Sequence, residues 1–74
     1  MRTYSIAVDP DLESGFTVTV PSLPGCITQG ETLEECVANA QEAIALYIED
    51  LVASGEPVPE ETAHPQLLQV TVAA

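Results

Sequence analysis

The spacing of apolar positions changes twice along the chain. Tyr4, Ile6 and Val8 alternate with Thr3, Ser5 and Ala7, and Phe16, Val18 and Val20 alternate with Thr17 and Thr19. A period of two places successive side chains on opposite faces, so both segments predict half-buried strands. Asp9-Pro10-Asp11-Leu12-Glu13-Ser14-Gly15 between them collects turn formers and predicts a hairpin. Pro21 cannot donate to a sheet ladder and Pro24-Gly25 favours a turn. The second strand is therefore expected to end before 21–25, and a short third strand to run over 26–29.

From Leu33 the period lengthens to 3.6. Leu33, Val37, Ala40, Ile44, Tyr47, Ile48 and Leu51 fall on one stripe of a predicted helix, with Glu35, Glu42 and Glu49 on the opposite side. Thr32-Leu33-Glu34-Glu35 reads as a capping box: the Thr32 hydroxyl accepts from the Glu35 backbone, and the Glu35 carboxylate reaches back. Ser54-Gly55 followed by Pro57 and Pro59 supplies the stop, giving a helix of about 20 residues, roughly 30 Å long. After an acidic, Pro-rich connector over 55–65, Leu68, Val70 and Val72 alternate with Gln69 and Thr71 as a last strand. The predicted order is β-β-β-α-β: an α+β fold with one helix packed on one face of a four-stranded mixed sheet. The last strand should run parallel to the strand it joins through a right-handed crossover. The helix is expected over Ile6, Val8, Phe16 and Val18, leaving a Thr/Ser/Gln face open.

Seventy-four residues make one expected domain, 1–74. A chain this short buries only about 60% of the surface its unfolded state exposes, so a partner subunit would add to its stability. With 46% hydrophobic residues it is too apolar for disorder despite a net charge of −11. Twelve acids face one cation, Arg2, so no basic patch can neutralise phosphates, and direct nucleic-acid binding is not expected. The same field steers a basic protein partner, or simply keeps monomers soluble and apart. No run of about 18 apolar residues and no secretion signal occurs, so a cytoplasmic protein with no membrane partner is expected. Cys26 and Cys36 lack zinc-site spacing, so reduced, packed thiols are expected.

Gly15, Phe16, Val18 and Val20 lead into Pro21, Leu23, Pro24, Gly25 and Cys26; then come Thr28, Gly30, Thr32, Glu34 and Glu35, and on the helix Asn39, Ala40, Glu42 and Ala43. In that order, over about residues 3–54, the chain resembles the HicB family, small antitoxin-like proteins of bacteria and archaea. The resemblance implies a partial ribonuclease-H-like fold: a three-strand meander, a helix on one face, and strand four beside strand one. It also implies a function without catalysis, in which the antitoxin covers the active and RNA-binding surface of a small basic HicA-type toxin that cleaves messenger RNA. Pro21, Pro24, Gly25, Gly30 and Thr32 are then conformational residues. Two departures stand out: almost no basic residues, and a chain that stops before the DNA-binding segment many members append. Repression of its own operon by this chain alone is therefore not expected.

No catalytic, cofactor-binding or metal-binding residue and no small-molecule substrate is expected. A two-metal nuclease needs about three or four converging carboxylates. Strand four offers only Gln66, Gln69 and Thr71, and the acid stripe points away from the sheet. His64 lies in a predicted loop with no Cys or Ser placed to use it, and Gly25 and Gly30 are turn and helix-start residues. The candidate partner contacts are Asp9, Asp11 and Glu13 in the hairpin loop and Glu35, Glu42, Leu46 and Glu49 on the helix. No Lys or Arg stands at i±4 to compensate the stripe, and Leu46 interrupts it, so it is either a solvated face or a protein contact. A homo-oligomer, in its simplest form a two-fold dimer, is expected because a sheet face or edge stays unprotected. The alternative function is a stand-alone oligomeric structural or interaction module without a toxin.

Overall fold

In a computed structural model, which describes residues 1–73, the elements are β1 (Ala7–Pro10), β2 (Phe16–Thr19), β3 (Ile27–Gly30) and α1 (Leu33–Ala53). The strands form one antiparallel sheet in the order β1-β2-β3, with Val8 opposite Val18 and Phe16 opposite Gly30. The β1-β2 hairpin closes through the Asp11 N–H on the Gly15 carbonyl at 2.9 Å. β1 is shorter at its start than the alternation predicts, with Tyr4–Ile6 outside the ladder, and it extends to Pro10, where a missing N–H is harmless at a strand end.

Two consecutive β-turns carry the chain from β2 to β3. The Leu23 N–H donates to the Val20 carbonyl at 2.9 Å, and the Cys26 N–H to the Leu23 carbonyl at 3.0 Å. Pro21 and Pro24 each take the second position of a turn, where their fixed φ fits. Gly25 follows Pro24 at φ +84°, the left-handed conformation that a type II turn requires. The turns fold Leu23 inward until it is fully buried with Val20 and Cys26, with Tyr4, Ile6, Ala43, Ile44 and Tyr47 around them. The Tyr47 hydroxyl, donating to the Pro24 carbonyl at 2.8 Å, ties the helix to this corner.

The helix begins where the capping box places it. Thr32 is extended, and its Oγ1 accepts from the Glu35 N–H at 3.1 Å. The return bond differs by one residue: the Glu35 carboxylate accepts from the N–H of Glu31, at 3.3 Å, not from that of Thr32. At the far end Gly55 adopts φ +70°, its N–H meets the Val52 carbonyl at 3.1 Å, and the Glu56 N–H meets the Leu51 carbonyl at 2.9 Å. That pair of bonds is the Schellman arrangement.

One face of α1 covers the sheet, as expected, but the buried line is rotated from the predicted stripe. Cys36 and Ala40 are buried against Val18, with Ile6, Val8, Phe16 and Ile44 packed around them, whereas Leu33 and Val37 are exposed. The helix lies chiefly over β3 and β2. Small residues permit this: a Cβ on Gly30 would stand 2.8 Å from the Cys36 backbone nitrogen.

The fourth strand is not found among the described residues. The connector is held by the Tyr4 hydroxyl, which donates to the Pro59 carbonyl, and by Glu61 on Ser5 and Ser22. Beyond it, residues 66–73 run unpaired and exposed, leaving β1 as a free edge. Among the described residues the sheet is therefore three-stranded and antiparallel, and the expected addition of strand four beside strand one is not seen there.

Candidate functional site

Of the acids singled out from the sequence, Asp11 and Glu13 sit in the hairpin loop and Glu35, Glu42 and Glu49 on the solvent flank of α1, whereas Asp9, expected in the loop, is paired with Thr17 within β1 because the ladder runs on to Pro10. Asp9, Asp11, Glu13, Glu35, Glu42 and Glu49 are all exposed. Two have local backbone partners: Asp11 accepts weakly from the Glu13 N–H at 3.4 Å, and Glu35 accepts from Glu31.

The fold brings some of these groups together and separates others. Asp11 and Glu35 line one cleft of about 320 Å³ at the helix N-terminus, together with Gln29, Glu31 and Asn39. The Asn39 amide donates to the Gln29 carbonyl at 2.7 Å and fastens the helix flank to β3. Glu35, Asn39, Glu42, Leu46 and Glu49 then follow at alternating i+4 and i+3 steps, one row along the helix. Leu46 shares a shallow depression with Ile27, Tyr47 and Asp50, and Ile27 and Leu46 are both large exposed apolar side chains. The outcome is an acidic strip with an apolar centre, running beside β3. Asp9 lies elsewhere, on the sheet face carrying Thr17 and near Pro65–Leu67. Glu13 joins neither group. Sequence reasoning missed Ile27 and Glu31, which reach the strip only through the turn geometry and the seating of the helix on β3, and Asp50, which helical spacing places four residues beyond Leu46.

Glu61 behaves differently from the other acids. Its carboxylate accepts from the Ser5 hydroxyl at 2.6 Å, contacts the His64 Nδ1, and accepts from the Ser5 N–H at 2.9 Å and the Ser22 hydroxyl at 3.0 Å. Its side chain has no exposed surface. The Ser5 hydroxyl first, then His64 and the Ser5 N–H, lower its pKa from the ordinary 4.5 to about 2; desolvation opposes them. This carboxylate is a clasp joining connector, first strand and turn, and it gives His64 a partner that the sequence did not foretell.

Cys26 and Cys36 are free and buried, and burial pushes the Cys26 thiol up. Among the described residues no three His, Cys, Asp or Glu side chains gather as a metal-binding group, and no helix is long and apolar enough to cross a membrane.

The order of elements, the paired turns and the capped helix define the class to which the chain belongs. Residues 4–71 match the family described as HicB-like antitoxins of bacterial toxin-antitoxin systems, and the chain belongs to that family. It is 45% identical over 58 residues to a UPF0150 protein of Synechocystis sp., covering 78% of this chain and 73% of that one. A UPF0150 protein of Thermoplasma acidophilum is 42% identical over 60 residues, 81% of this chain and 87% of the relative. The protein named Antitoxin HicB 1 of Photorhabdus laumondii is 32% identical over 56 residues, 76% of this chain but 36% of that longer protein. Membership supports a toxin-antitoxin role in general.

Proposed function

We propose that this chain is a non-enzymatic cytoplasmic antitoxin, a single HicB-like domain that binds a small basic HicA-type ribonuclease and covers its active and RNA-binding surface. The observation that carries this reading is the acidic strip. Glu35, Glu42 and Glu49 flank an exposed Leu46 and Ile27, with Asp11 and Glu31 at one end and Asp50 near the other. A basic ribonuclease surface recognises RNA through its phosphates, and a row of carboxylates competes for the same cations while the apolar centre supplies desolvated contact area. Asp9 and Glu13 extend the field without joining the strip, and act on encounter. The antitoxin acts as a homo-oligomer, in its simplest form a two-fold dimer.

The test is growth of cells co-expressing this chain with the ribonuclease encoded beside it, scored with recovery of the complex. Rescue by wild type, together with slower association and a flatter salt dependence for Glu35→Gln/Glu42→Gln/Glu49→Gln, supports the reading. No rescue and no complex refutes it. The second reading, a stand-alone oligomeric interaction module without a toxin, is favoured by a different observation, the exposed apolar residues between 67 and 72. It predicts assembly without any effect on a nuclease.

A further inference from the structure

Residues 66–73 carry a strand-like pattern that the fold leaves without a partner. Leu67, Leu68, Val70 and Val72 retain 100%, 77%, 84% and 74% of their accessible surface. Alternating aliphatic side chains on an extended backbone need both a ladder and an apolar surface to lie on.

A matching vacancy lies on the same molecule. β1 is an edge strand. Between the helix and the residues that lead into β1 opens a groove of about 620 Å³, in which Tyr4, Ile6, Val37, Ile44 and Ile48 are joined at one end by Arg2, Thr3 and Gln41. The displacement of α1 toward β3 creates it, and leaves Val37 50% exposed. A strand added to the β1 edge, with its apolar face turned to the helix, would fill this groove.

The occupant that the observations favour is the tail of a second copy. The chain's own tail runs outward: the radius of gyration is 14.4 Å and the longest dimension 50 Å. A compact chain of this length has a radius of about 11 Å. The Glu61 clasp and the Tyr4–Pro59 hydrogen bond fix the connector at the start of β1, so the tail departs beside the edge strand without pairing to it. Charge selects the partner. Residues 65–73 hold no ionisable side chain in a chain of net charge −11, so this segment approaches another copy without setting acids against acids.

We propose that residues 66–73 of one copy add as a fourth strand to the β1 edge of a second copy, reciprocally, with Leu68, Val70 and Val72 in the partner's groove. Such an exchange is an isologous two-fold contact and pairs the β1 edge of each copy. It rests on the dimer proposed above and specifies how that dimer is held; it needs no toxin.

The pairing is tested by cross-linking between chains. Ala7 and Thr71 occupy the faces turned away from the groove, since Ala7 alternates with Ile6 and Val8, and Thr71 with Val70 and Val72. Ala7→Cys and Thr71→Cys chains are refolded together and treated with a short bis-maleimide; the native thiols are buried. A covalent dimer specific to the mixture is expected. A link formed only within a doubly substituted chain at low concentration, with none in the mixture, overturns the exchange in favour of pairing within one chain. A dimer by sedimentation that forms no link overturns the exchange but keeps the dimer, and a monomer overturns both; either leaves the antitoxin reading to its own assay. As a second measurement, Leu68→Asp/Val70→Asp/Val72→Asp is expected to raise the dimer dissociation constant by roughly a thousand-fold or more. An unchanged constant overturns the proposal.

Discussion

Replacing Gly30 with Ala tests how the helix is seated. Gly30 ends β3 opposite Phe16 and is buried under the first turn of α1. An added Cβ would stand 2.8 Å from the Cys36 nitrogen, 2.9 Å from its Sγ and 3.1 Å from its Cα. Two of these three atoms are backbone, so a side-chain rotation cannot make room and the helix N-terminus must lift from the strand. Overpacking of this kind costs about 1–3 kcal/mol, and a backbone obstacle belongs at the upper end, about 2–3 kcal/mol. At about 4–8 °C per kcal/mol for a domain of this size, the melting temperature should fall by roughly 8–24 °C. Calorimetry at fixed protein concentration is the assay, because an assembling protein melts at a concentration-dependent temperature. The double variant Gly30→Ala/Cys36→Ala decides the cause. If the Cys36 nitrogen is the obstacle, removing the sulfur relieves no more than about 0.5 kcal/mol of the damage. A double variant that recovers most of the lost stability would show that the sulfur alone was in the way and refute the reasoning.

The Glu61 clasp gives a pH dependence of definite sign. Its folded pKa lies below the ordinary 4.5, at about 2, so its stabilisation is fully present above about pH 4.5 and is lost as the pH falls toward 2. The Ser5 amide shift in NMR should titrate with a midpoint near 2 and lose this titration in Glu61→Gln; a midpoint at 4.5 would contradict the clasp. Thr32→Ala removes the hydroxyl that accepts from Glu35, and should lower stability by about 1 kcal/mol in chemical denaturation, with wild-type stability as the refuting result. Ile44 touches both buried clusters, so Ile44→Asp should unfold the chain at a cost of several kcal/mol, seen as loss of the cooperative melt.

Much of this architecture is legible in the sequence because it is made by neighbours. The Pro21 and Pro24-Gly25 turns and the Thr32 cap close through bonds between residues three apart, and the Gly55 stop through bonds spanning three to five residues. Alternation in 16–20 likewise names Val18 of β2 and Val20 just after it as buried. The candidate site was legible in part. The row Glu35, Glu42, Leu46, Glu49 follows from helical spacing, whereas its continuation through Ile27, Glu31 and Asp11 depends on where the helix settles on β3.

The sequence by itself determined the first three strands and the helix, their order, the polarity of the helix flank and the net acidic charge, since each depends on local spacing or on a sum over residues. Tertiary structure decided the rest. It set which line of α1 is buried, because the small Gly30, Cys36 and Ala40 allow a closer approach than the larger Leu33 and Val37. It made Glu61 a covered clasp through bonds to groups 56 and 39 residues away. It also left the last alternating segment outside the sheet. A period of two states which side chains of a strand seek cover; the edge that provides it is a long-range choice, made against chain closure and the anchoring of the connector, and no local pattern encodes it.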